Sequence, residues 1–251
     1  MDEQPVTMIT ATNDINLGQG VTLEMVLIPG GTFMMGSPQT DPNRDHDEGP
    51  LHEVTLDPFL MGRYLITQAQ WRLVAAMPQV ERELDPNPSF FKGDKRPVES
   101  VSWFEAVEFC ARLSGHTGQV YTLPSEAQWE YACRAGTTTP FHFGETLAKS
   151  QANFSEKATT EVGSFPPNSF DLYDMHGNVW EWCSDHYHDS YEWAPSDGST
   201  WVGGSDLRVL RGGPWGTFPW ACRAAYRQAH YPENRYYVTG FRVVSVPPRT
   251  L

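Results

Sequence analysis

Three helix-capping boxes in the first half of the chain constrain its fold most strongly. They are Thr67–Gln70, Ser102–Glu105 and Ser125–Gln128. In such a box the hydroxyl of the first residue accepts a hydrogen bond from the backbone amide three residues later. The side chain of that later residue accepts a hydrogen bond in return from the backbone amide of the first residue. Each box leads into apolar residues at helical spacing, so we predict three helices with one buried face each. The second helix is expected to end before Gly115 and the third before Gly136. The predicted buried faces comprise Trp71, Val74 and Ala75; Ala106, Phe109, Cys110 and Leu113; and Trp129, Ala132 and Cys133.

Short segments of alternating polarity predict strands on both sides of the helices. These segments are Val21–Ile28, Thr32–Met35, His52–Leu60, Arg208–Arg211 and Gly240–Val244. After the third helix, loops rich in Gly, Pro, Ser and Asp dominate, and the chain has 21 Gly and 20 Pro in all. The pattern therefore predicts a mixed fold with much irregular loop.

The length of 251 residues fits one large domain. We expect residues 1–20, which are polar, to be a flexible leader or a short N-terminal extension, and residues 21–247 to form the domain. A net charge of −13 repels phosphate backbones, which argues against a nucleic-acid partner. No run of 18 apolar residues is present, so no membrane insertion is expected. Four isolated cysteines and no secretory signal pattern predict a cytoplasmic protein with reduced, buried thiols.

Several motifs resemble those of formylglycine-generating-enzyme domains, the sulfatase-modifying factor family. They are Met25–Gly36, Arg96–Val98, Val101–Trp103, Leu123–Tyr131, Leu172–Trp182, Arg208–Gly213 and Gly240–Arg242. The resemblance implies an α+β, C-type-lectin-like fold that is rich in loops, with about three helices and short antiparallel strands. Members of this family include copper oxidases that convert a sulfatase cysteine to formylglycine, and iron enzymes that join sulfur to histidine derivatives. Others are non-catalytic ligand-binding proteins, among them the variable proteins of diversity-generating retroelements, so the fold does not choose the function.

A copper site of the oxidase kind is not expected in this chain. In the oxidases a closely spaced cysteine pair follows a Gly-Gly turn and holds Cu(I), which prefers thiolates. The matching stretch 212–223 contains Cys222 alone, and Thr217 or Phe218 stands where the other thiol belongs. If the chain were nevertheless an oxidase, Cys222 would be its essential thiol. The eight histidines are dispersed along the sequence, with His186 and His188 as a close pair that we interpret as solvated.

The resemblance also implies calcium. Asp174 and Glu181 are expected to supply carboxylates, and Gly177 and Val179 backbone carbonyls, to a structural Ca²⁺ site. Calcium is a hard cation that prefers six to eight oxygen ligands from a flexible loop. The alternative interpretation is an acidic turn that holds no ion. A second, weaker site is expected to begin at Asn153 and Phe154.

The C-terminal region, about residues 208–244, is rich in aromatic residues between more regular motifs. In the retroelement-diversified relatives the corresponding positions vary, and side chains of this kind suit a binding surface because they give rigid contact area. The candidate ligand-binding residues are Trp215, Thr217, Phe218, Trp220, His230, Tyr231, Tyr236 and Tyr237. The alternative interpretation is ordinary packing of core and loop aromatics. We expect a separate role for Arg211, Arg223, Arg227 and Arg242, namely to fix the loops through charged hydrogen bonds.

The favoured hypothesis is a non-catalytic protein that binds a protein or peptide ligand at this C-terminal region, with diversification by a retroelement. The alternative is an oxidase of the formylglycine-generating class or a related metal-dependent enzyme. The lone Cys222 argues against the oxidase but does not by itself establish binding.

Overall fold

The structure, a computed structural model, describes residues 14–246, and the three predicted helices are all present. Helix α1 spans Gln68–Ala75, α2 spans Trp103–Thr117 and α3 spans Glu126–Arg134. All three capping boxes form with both of their hydrogen bonds. The prediction from the local pattern is therefore confirmed, and every side chain of the predicted face of α2 is buried.

The end of α2 differs from the prediction. The helix continues through Gly115 and ends at Thr117, so the position expected to stop it lies inside it. Gly118 has φ 75° and caps the helix, and its amide donates to the carbonyl of Ser114. Glycine adopts this left-handed conformation without steric cost, whereas Gly115 keeps the helical one. Helix α3 ends with Ala135 as its cap, next to the predicted stop at Gly136.

The strands of the described residues are short. They are β1 (Ile15–Gly18), β2 (Val21–Leu23), β3 (Met25–Ile28), β4 (Gly31–Met35), β5 (His52–Leu56), β6 (Phe59–Gly62), β7 (Tyr121–Thr122), β8 (Trp180–His186), β9 (Arg208–Arg211), β10 (Gln228–His230), β11 (Thr239–Gly240) and β12 (Val244–Ser245). One four-stranded sheet has the order β3-β6-β12-β7, and a second has the order β10-β9-β8-β11. Strands β1–β2 and β4–β5 form separate two-stranded sheets. Pairing is antiparallel except between β8 and β11, so the α+β fold with short antiparallel strands is confirmed apart from that one parallel pair.

Some predicted strands are divided in the structure. The segment 21–28 separates into β2 and β3 at Glu24, and the segment 52–60 separates into β5 and β6 at Asp57 and Pro58. Proline lacks an amide hydrogen and cannot donate to a strand ladder, which explains the second break. The segment 240–244 also divides, because its ends pair with strands in different sheets.

Residues 15–18, within the segment predicted to be a flexible leader or a short N-terminal extension, form strand β1. Strand β1 pairs antiparallel with β2, and the side chain of Leu17 is 7% exposed and belongs to the core. An apolar residue in a strand can thus anchor a segment whose composition is polar. Residues 1–13 of the predicted leader, and residue 247 at the predicted domain end, lie outside the described residues.

The core has two large parts on either side of the β8 sheet. Trp71 of α1 stacks on Phe109 of α2 with ring centroids 5.7 Å apart, and both contact Phe241. On the other side, Trp129 of α3 is fully buried. All four cysteines are free and buried, as expected. Among residues 14–246, none of the helices has the length and apolar character needed to cross a bilayer.

Candidate functional site

A buried network of charges holds the C-terminal region onto α3. The carboxylate of Glu126 accepts hydrogen bonds from Arg211 at 3.0 Å and from Arg227 at 2.7 and 2.9 Å. One helical turn later, Glu130 accepts from Arg211 at 2.5 Å and from Arg134 at 2.9 Å. Burial alone would raise the pKa of the Glu126 carboxyl, but Arg227 and Arg211 outweigh it and hold that pKa below its ordinary value.

The two remaining predicted arginines also bind carboxylates inside the protein. Arg223 donates to both oxygens of Glu48 at 2.8 and 2.6 Å, and Arg242 donates to both oxygens of Glu181 at 2.6 and 2.9 Å. The same guanidinium groups bond backbone carbonyls, such as that of Trp220. The prediction that these four arginines fix the loops is confirmed.

Backbone hydrogen bonds fix the first half of the C-terminal region. The amide of Trp215 donates to the carbonyl of Asn178 at 2.9 Å. In return, the carbonyl of Trp215 accepts from Glu156, and that of Thr217 accepts from Ser155, both at 2.8 Å. The side chains of this half therefore project from a backbone that is held on two sides.

The second half is held in the same way. The amide of Ser100 donates to the carbonyl of Tyr236 at 3.0 Å, and the amide of Trp180 donates to that of Val238 at 2.7 Å. Ser100 has φ 62°, a conformation that is uncommon for residues other than glycine. The position of Tyr236 thus depends on a loop that precedes α2.

Five of the eight predicted ligand-binding side chains are exposed. Their exposed fractions are 65% for Phe218, 54% for Tyr231, 50% for Tyr237, 45% for Trp220 and 39% for Tyr236. Large exposed aromatic side chains on one continuous segment are unusual, because burial of such rings normally stabilises the fold. The other three predicted residues are half-buried, and they are Trp215, Thr217 and His230.

Trp215 and Tyr237 come together although 22 positions separate them. Their ring centroids are 5.9 Å apart, and Phe91 contacts both rings at 5.4 and 6.4 Å. Phe90 lies 5.8 Å from Tyr237 and is 69% exposed. These four side chains are called the aromatic surface below. Phe90 and Phe91 were not predicted as ligand-binding residues, although two adjacent phenylalanines within a polar loop indicate a candidate contact surface.

The remaining predicted residues lie in smaller groups. His230 and Tyr236 have ring centroids 4.8 Å apart, and Trp220 packs at 5.3 Å against Tyr226. Phe218 is exposed on the loop before Trp220 and does not join the aromatic surface. The predicted ligand-binding residues therefore lie on one segment whose backbone is fixed by hydrogen bonds, and their side chains form several separate groups on its surface.

Cys222 has the environment of a structural thiol. It is fully buried in a small cluster that includes Phe141 and Phe154, and burial raises its pKa to about 12. A thiolate is the form that binds metal or attacks a substrate. Burial therefore disfavours the thiolate form of the Cys222 side chain.

The residues expected to bind calcium lie close together, with one complication. Asp174 is buried and its carboxylate accepts from the amide of Gly163 at 2.8 Å. Burial raises the pKa of Asp174 to about 6. The nearby charge of Arg242 lowers this pKa, and that of Glu181 raises it. Because both oxygens of Glu181 already bind Arg242, a cation at this position would have to share that carboxylate. The donor set fits calcium in part: Asp174 and backbone carbonyls are of the right kind.

The backbone of this loop is tightly constrained. Gly177 has φ 97°, its amide donates to the carbonyl of Gly212, and its carbonyl accepts from Val179. No three His, Cys, Asp or Glu side chains converge on a metal position among residues 14–246, so any ligand set here would rely on carbonyl oxygens.

We expect Gly177→Ala to destabilise the protein by at least about 2 kcal/mol. A Cβ at this position would lie 2.4 Å from the carbonyl oxygen of Asn153, and the positive φ adds strain. Chemical denaturation measures the change. Gly216→Ala is the matched control, since its Cβ would meet no atom within 4 Å. An equal effect of the two substitutions would contradict this explanation.

At the second, weaker calcium position a lysine is already present. The ammonium of Lys149 donates to the carbonyl of Phe154, to that of Ser155 at 2.9 Å and to Glu156 at 2.7 Å. It also lies over the ring of Phe154. The carbonyl of Asn153 accepts from the amide of Asn178 at 2.9 Å. The chain's own cation thus uses one of the two expected ligands.

Two histidines that are far apart in sequence stack inside the protein. The rings of His142 and His176 are 4.8 Å apart, and Nε2 of His176 accepts from the amide of His142. Burial lowers the pKa of His142 to about 4 and that of His176 to about 3, so both rings are neutral at pH 7. The predicted close pair behaves differently, since His188 stacks on Trp201 while His186 bonds the carbonyl of Ser205.

The chain is similar to a known domain family and to proteins of known structure. The model of the sulfatase-modifying factor enzyme 1-like domain family matches residues 16–246. A curated relative, serine/threonine-protein kinase pkn1 of Chlamydia caviae, is 34% identical over 246 residues. That match covers 89% of this chain but 38% of the relative, so the chain spans less than two fifths of the kinase.

Two solved structures match nearly the whole chain. PvdO from Pseudomonas aeruginosa has a TM-score of 0.83 at 36% identity, and covers 93% of this chain and 98% of its own. Variable protein 1 of Treponema denticola has a TM-score of 0.82 at 27% identity, with 94% and 99% covered.

Proposed function

Because the chain belongs to the sulfatase-modifying factor enzyme 1-like domain family, in which the formylglycine-generating-enzyme fold carries several activities, we propose that it is a non-catalytic ligand-binding protein. Its ligand is a protein or peptide, and the C-terminal region contacts it. Variable protein 1 of Treponema denticola, which shares the fold along almost the full chain, supports this choice by its name.

One observation carries the proposal: exposed aromatic side chains project from a backbone that buried ion pairs and hydrogen bonds hold still. Phe218, Trp220 and Tyr237 are each at least 45% exposed. A rigid backbone reduces the entropy lost on binding, and large aromatic rings commonly contribute most of the affinity at an interface. The half-buried Trp215 and the exposed Phe90 extend the same contact area.

A selection from a displayed peptide library tests the proposal. The native protein serves as bait, and each recovered peptide is tested against Trp220→Ala/Tyr237→Ala. The matched control is Trp193→Ala, which removes an 89% exposed ring outside the C-terminal region. We expect peptides that bind the control and not the double variant. Recovery only of peptides that bind all three proteins equally would contradict the proposal.

We further propose that the C-terminal region is diversified by a retroelement. The aromatic and small polar residues of segments 215–220 and 228–238 support this, because such residues give adaptable contacts. The neighbouring DNA provides the test. A reverse-transcriptase gene and a near-copy of the 3′ coding end that differs only at adenines are expected, and a neighbourhood without such a copy would refute diversification while leaving ligand binding intact.

A structural calcium ion is a separate proposal, held by Asp174, Glu181 and the carbonyls of Gly177 and Val179. The burial of Asp174 supports it, because a bound cation would offset the charge of that carboxylate, whereas Arg242 already offsets the charge of Glu181. After chelation, Ca²⁺ at 100 times its dissociation constant should stabilise the protein by about 2.7 kcal/mol. Calorimetric titration and a melting curve measure this, with Asp174→Asn expected to abolish the effect and the exposed Asp189→Asn to preserve it. No heat and no rise in melting temperature would exclude the site.

The alternative function is an oxidase of the formylglycine-generating class with Cys222 as its thiol. The burial of Cys222 weighs against it. Incubation with Cu(I), oxygen and a cysteine-containing peptide, followed by mass spectrometry, decides the matter. We expect no loss of 18 Da, the change from thiol to aldehyde, and its appearance would overturn the proposed function.

The four free, buried cysteines also support a reducing compartment such as the cytoplasm as the place of action.

A further inference from the structure

A groove lies beside the C-terminal region, on the side of Trp220. Two adjoining cavities of about 350 and 320 Å³ share four lining residues, Asn43, Pro140, Glu145 and Arg223, and so form one continuous depression. It is called the groove below. Its volume suits a long side chain or a small molecule.

The hydrogen-bond donors of the two arginines in the groove are occupied by other groups of the protein. Arg223 donates through Nε to the carbonyl of Trp220, and its terminal nitrogens bind Glu48. Arg134 binds Glu130 through Nε and the carbonyls of Thr139 and Gly36 through its terminal nitrogens. Both guanidinium groups are thus engaged with the protein itself.

The carboxylates of the groove are less well compensated. Asp41 accepts from the amide of Asn43 at 2.8 Å and from Arg223 at 3.3 Å, and the contact with Arg223 is longer than the two that Glu48 makes with the same guanidinium at 2.6 and 2.8 Å. Glu145 is exposed and lines both cavities. The hydroxyl of Ser37 is buried at the first cavity and interacts with the carboxylate of Glu48. The groove therefore presents negative charge from Asp41 and Glu145.

The second cavity adds apolar walls. Trp220, Pro219, Pro140 and Leu147 line it, and the ring of Trp220 is 45% exposed. Walls of this kind suit the aliphatic stem of a lysine or arginine side chain, and the face of an aromatic ring attracts a cation.

We propose that the groove binds an alkylammonium or guanidinium group, with the cation between Asp41 and Glu145 and its aliphatic stem against Trp220. This inference rests on the proposed function, because Trp220 belongs to the region that contacts the ligand. It assigns the ligand a basic side chain in addition to the apolar part that meets the aromatic surface. The net charge of −13 favours such ligands over acidic ones.

Calorimetry with small probes tests the proposal on the intact chain. Nα-acetyl-arginine amide presents the guanidinium of a peptide, spermidine presents the same cationic chemistry as a free polyamine, and Nα-acetyl-citrulline amide is the neutral isostere. We expect either cation to bind with a dissociation constant of roughly 1 mM, and the citrulline probe at least tenfold more weakly. Which cation binds more tightly distinguishes a peptide side chain from a free polyamine.

Variants assign the binding to the groove. Asp41→Asn/Glu145→Gln should weaken the cationic probe at least tenfold, whereas Asp189→Asn/Glu192→Gln removes two exposed carboxylates elsewhere and should leave it within twofold. Equal binding of the citrulline probe, an equal effect of both double variants, or no binding of either cation would overturn the proposal. Peptides from the library that still need Trp220 and Tyr237 but carry no basic residue would refute the groove while preserving the proposed function.

Discussion

Replacement of Arg211 by methionine is expected to lower the free energy of unfolding by about 3 to 5 kcal/mol. Methionine fills a similar volume but leaves two carboxylates, Glu126 and Glu130, buried with fewer donors. Removal of one partner from a buried ion pair is costly because the remaining charge is neither hydrated nor paired. For a chain of this size the melting temperature should fall by roughly 10 °C.

The matched control is Arg72→Met, which breaks an ion pair with Asp94 at the surface. The side chains of that pair are 35% and 77% exposed. Surface pairs contribute about 0 to 1 kcal/mol, so this variant should be close to the parent protein. If Arg211→Met and Arg72→Met cost the same, the buried network would not be what holds the C-terminal region in place.

The second large effect is expected on binding. For a peptide selected on the native protein, Trp220→Ala and Tyr237→Ala should each weaken affinity by at least tenfold, about 1.4 kcal/mol. Both rings are largely exposed, so neither substitution should change the melting temperature by much. Surface plasmon resonance measures the dissociation constants, with Trp193→Ala as the control that stays within twofold. A selected peptide that ignores both substitutions would show that the ligand binds elsewhere.

The helices could be predicted from the sequence because their signals are local. A capping box such as Ser125–Gln128 involves residues three positions apart and requires no long-range contact. The predicted end of α2 was wrong because two glycines, Gly115 and Gly118, lie three residues apart. Only the left-handed conformation of Gly118 shows which of them caps the helix.

The strands were harder to predict because long-range pairing sets their limits. Strand β12 pairs with β6 and β7, which lie more than 100 residues earlier in the chain. Strand β1 was missed because its alternation, Ile15-Asn16-Leu17-Gly18, is only four residues long and lies in a polar segment, and pairing with β2 fixes its conformation. Tertiary context routinely overrides a weak local preference in short strands.

The candidate site shows the same division. The role of the four arginines was predicted correctly, because a charged side chain among buried motifs requires a partner. Their partners were not predicted, since Glu48 and Arg223 are 175 positions apart. Phe90 and Phe91 were missed because a loop before α2 carries them to the aromatic surface, a proximity that no sequence spacing reveals.

Amide hydrogen exchange on a complex with a selected peptide tests the central claim most directly, since it locates the contact without prior choice of residues. If the C-terminal region binds the ligand, amide exchange should be slower at residues 214–221 and 230–238 of the protein, with little change elsewhere. Slower exchange confined to other segments, such as the loop 187–204, with residues 214–238 unchanged, would contradict the claim.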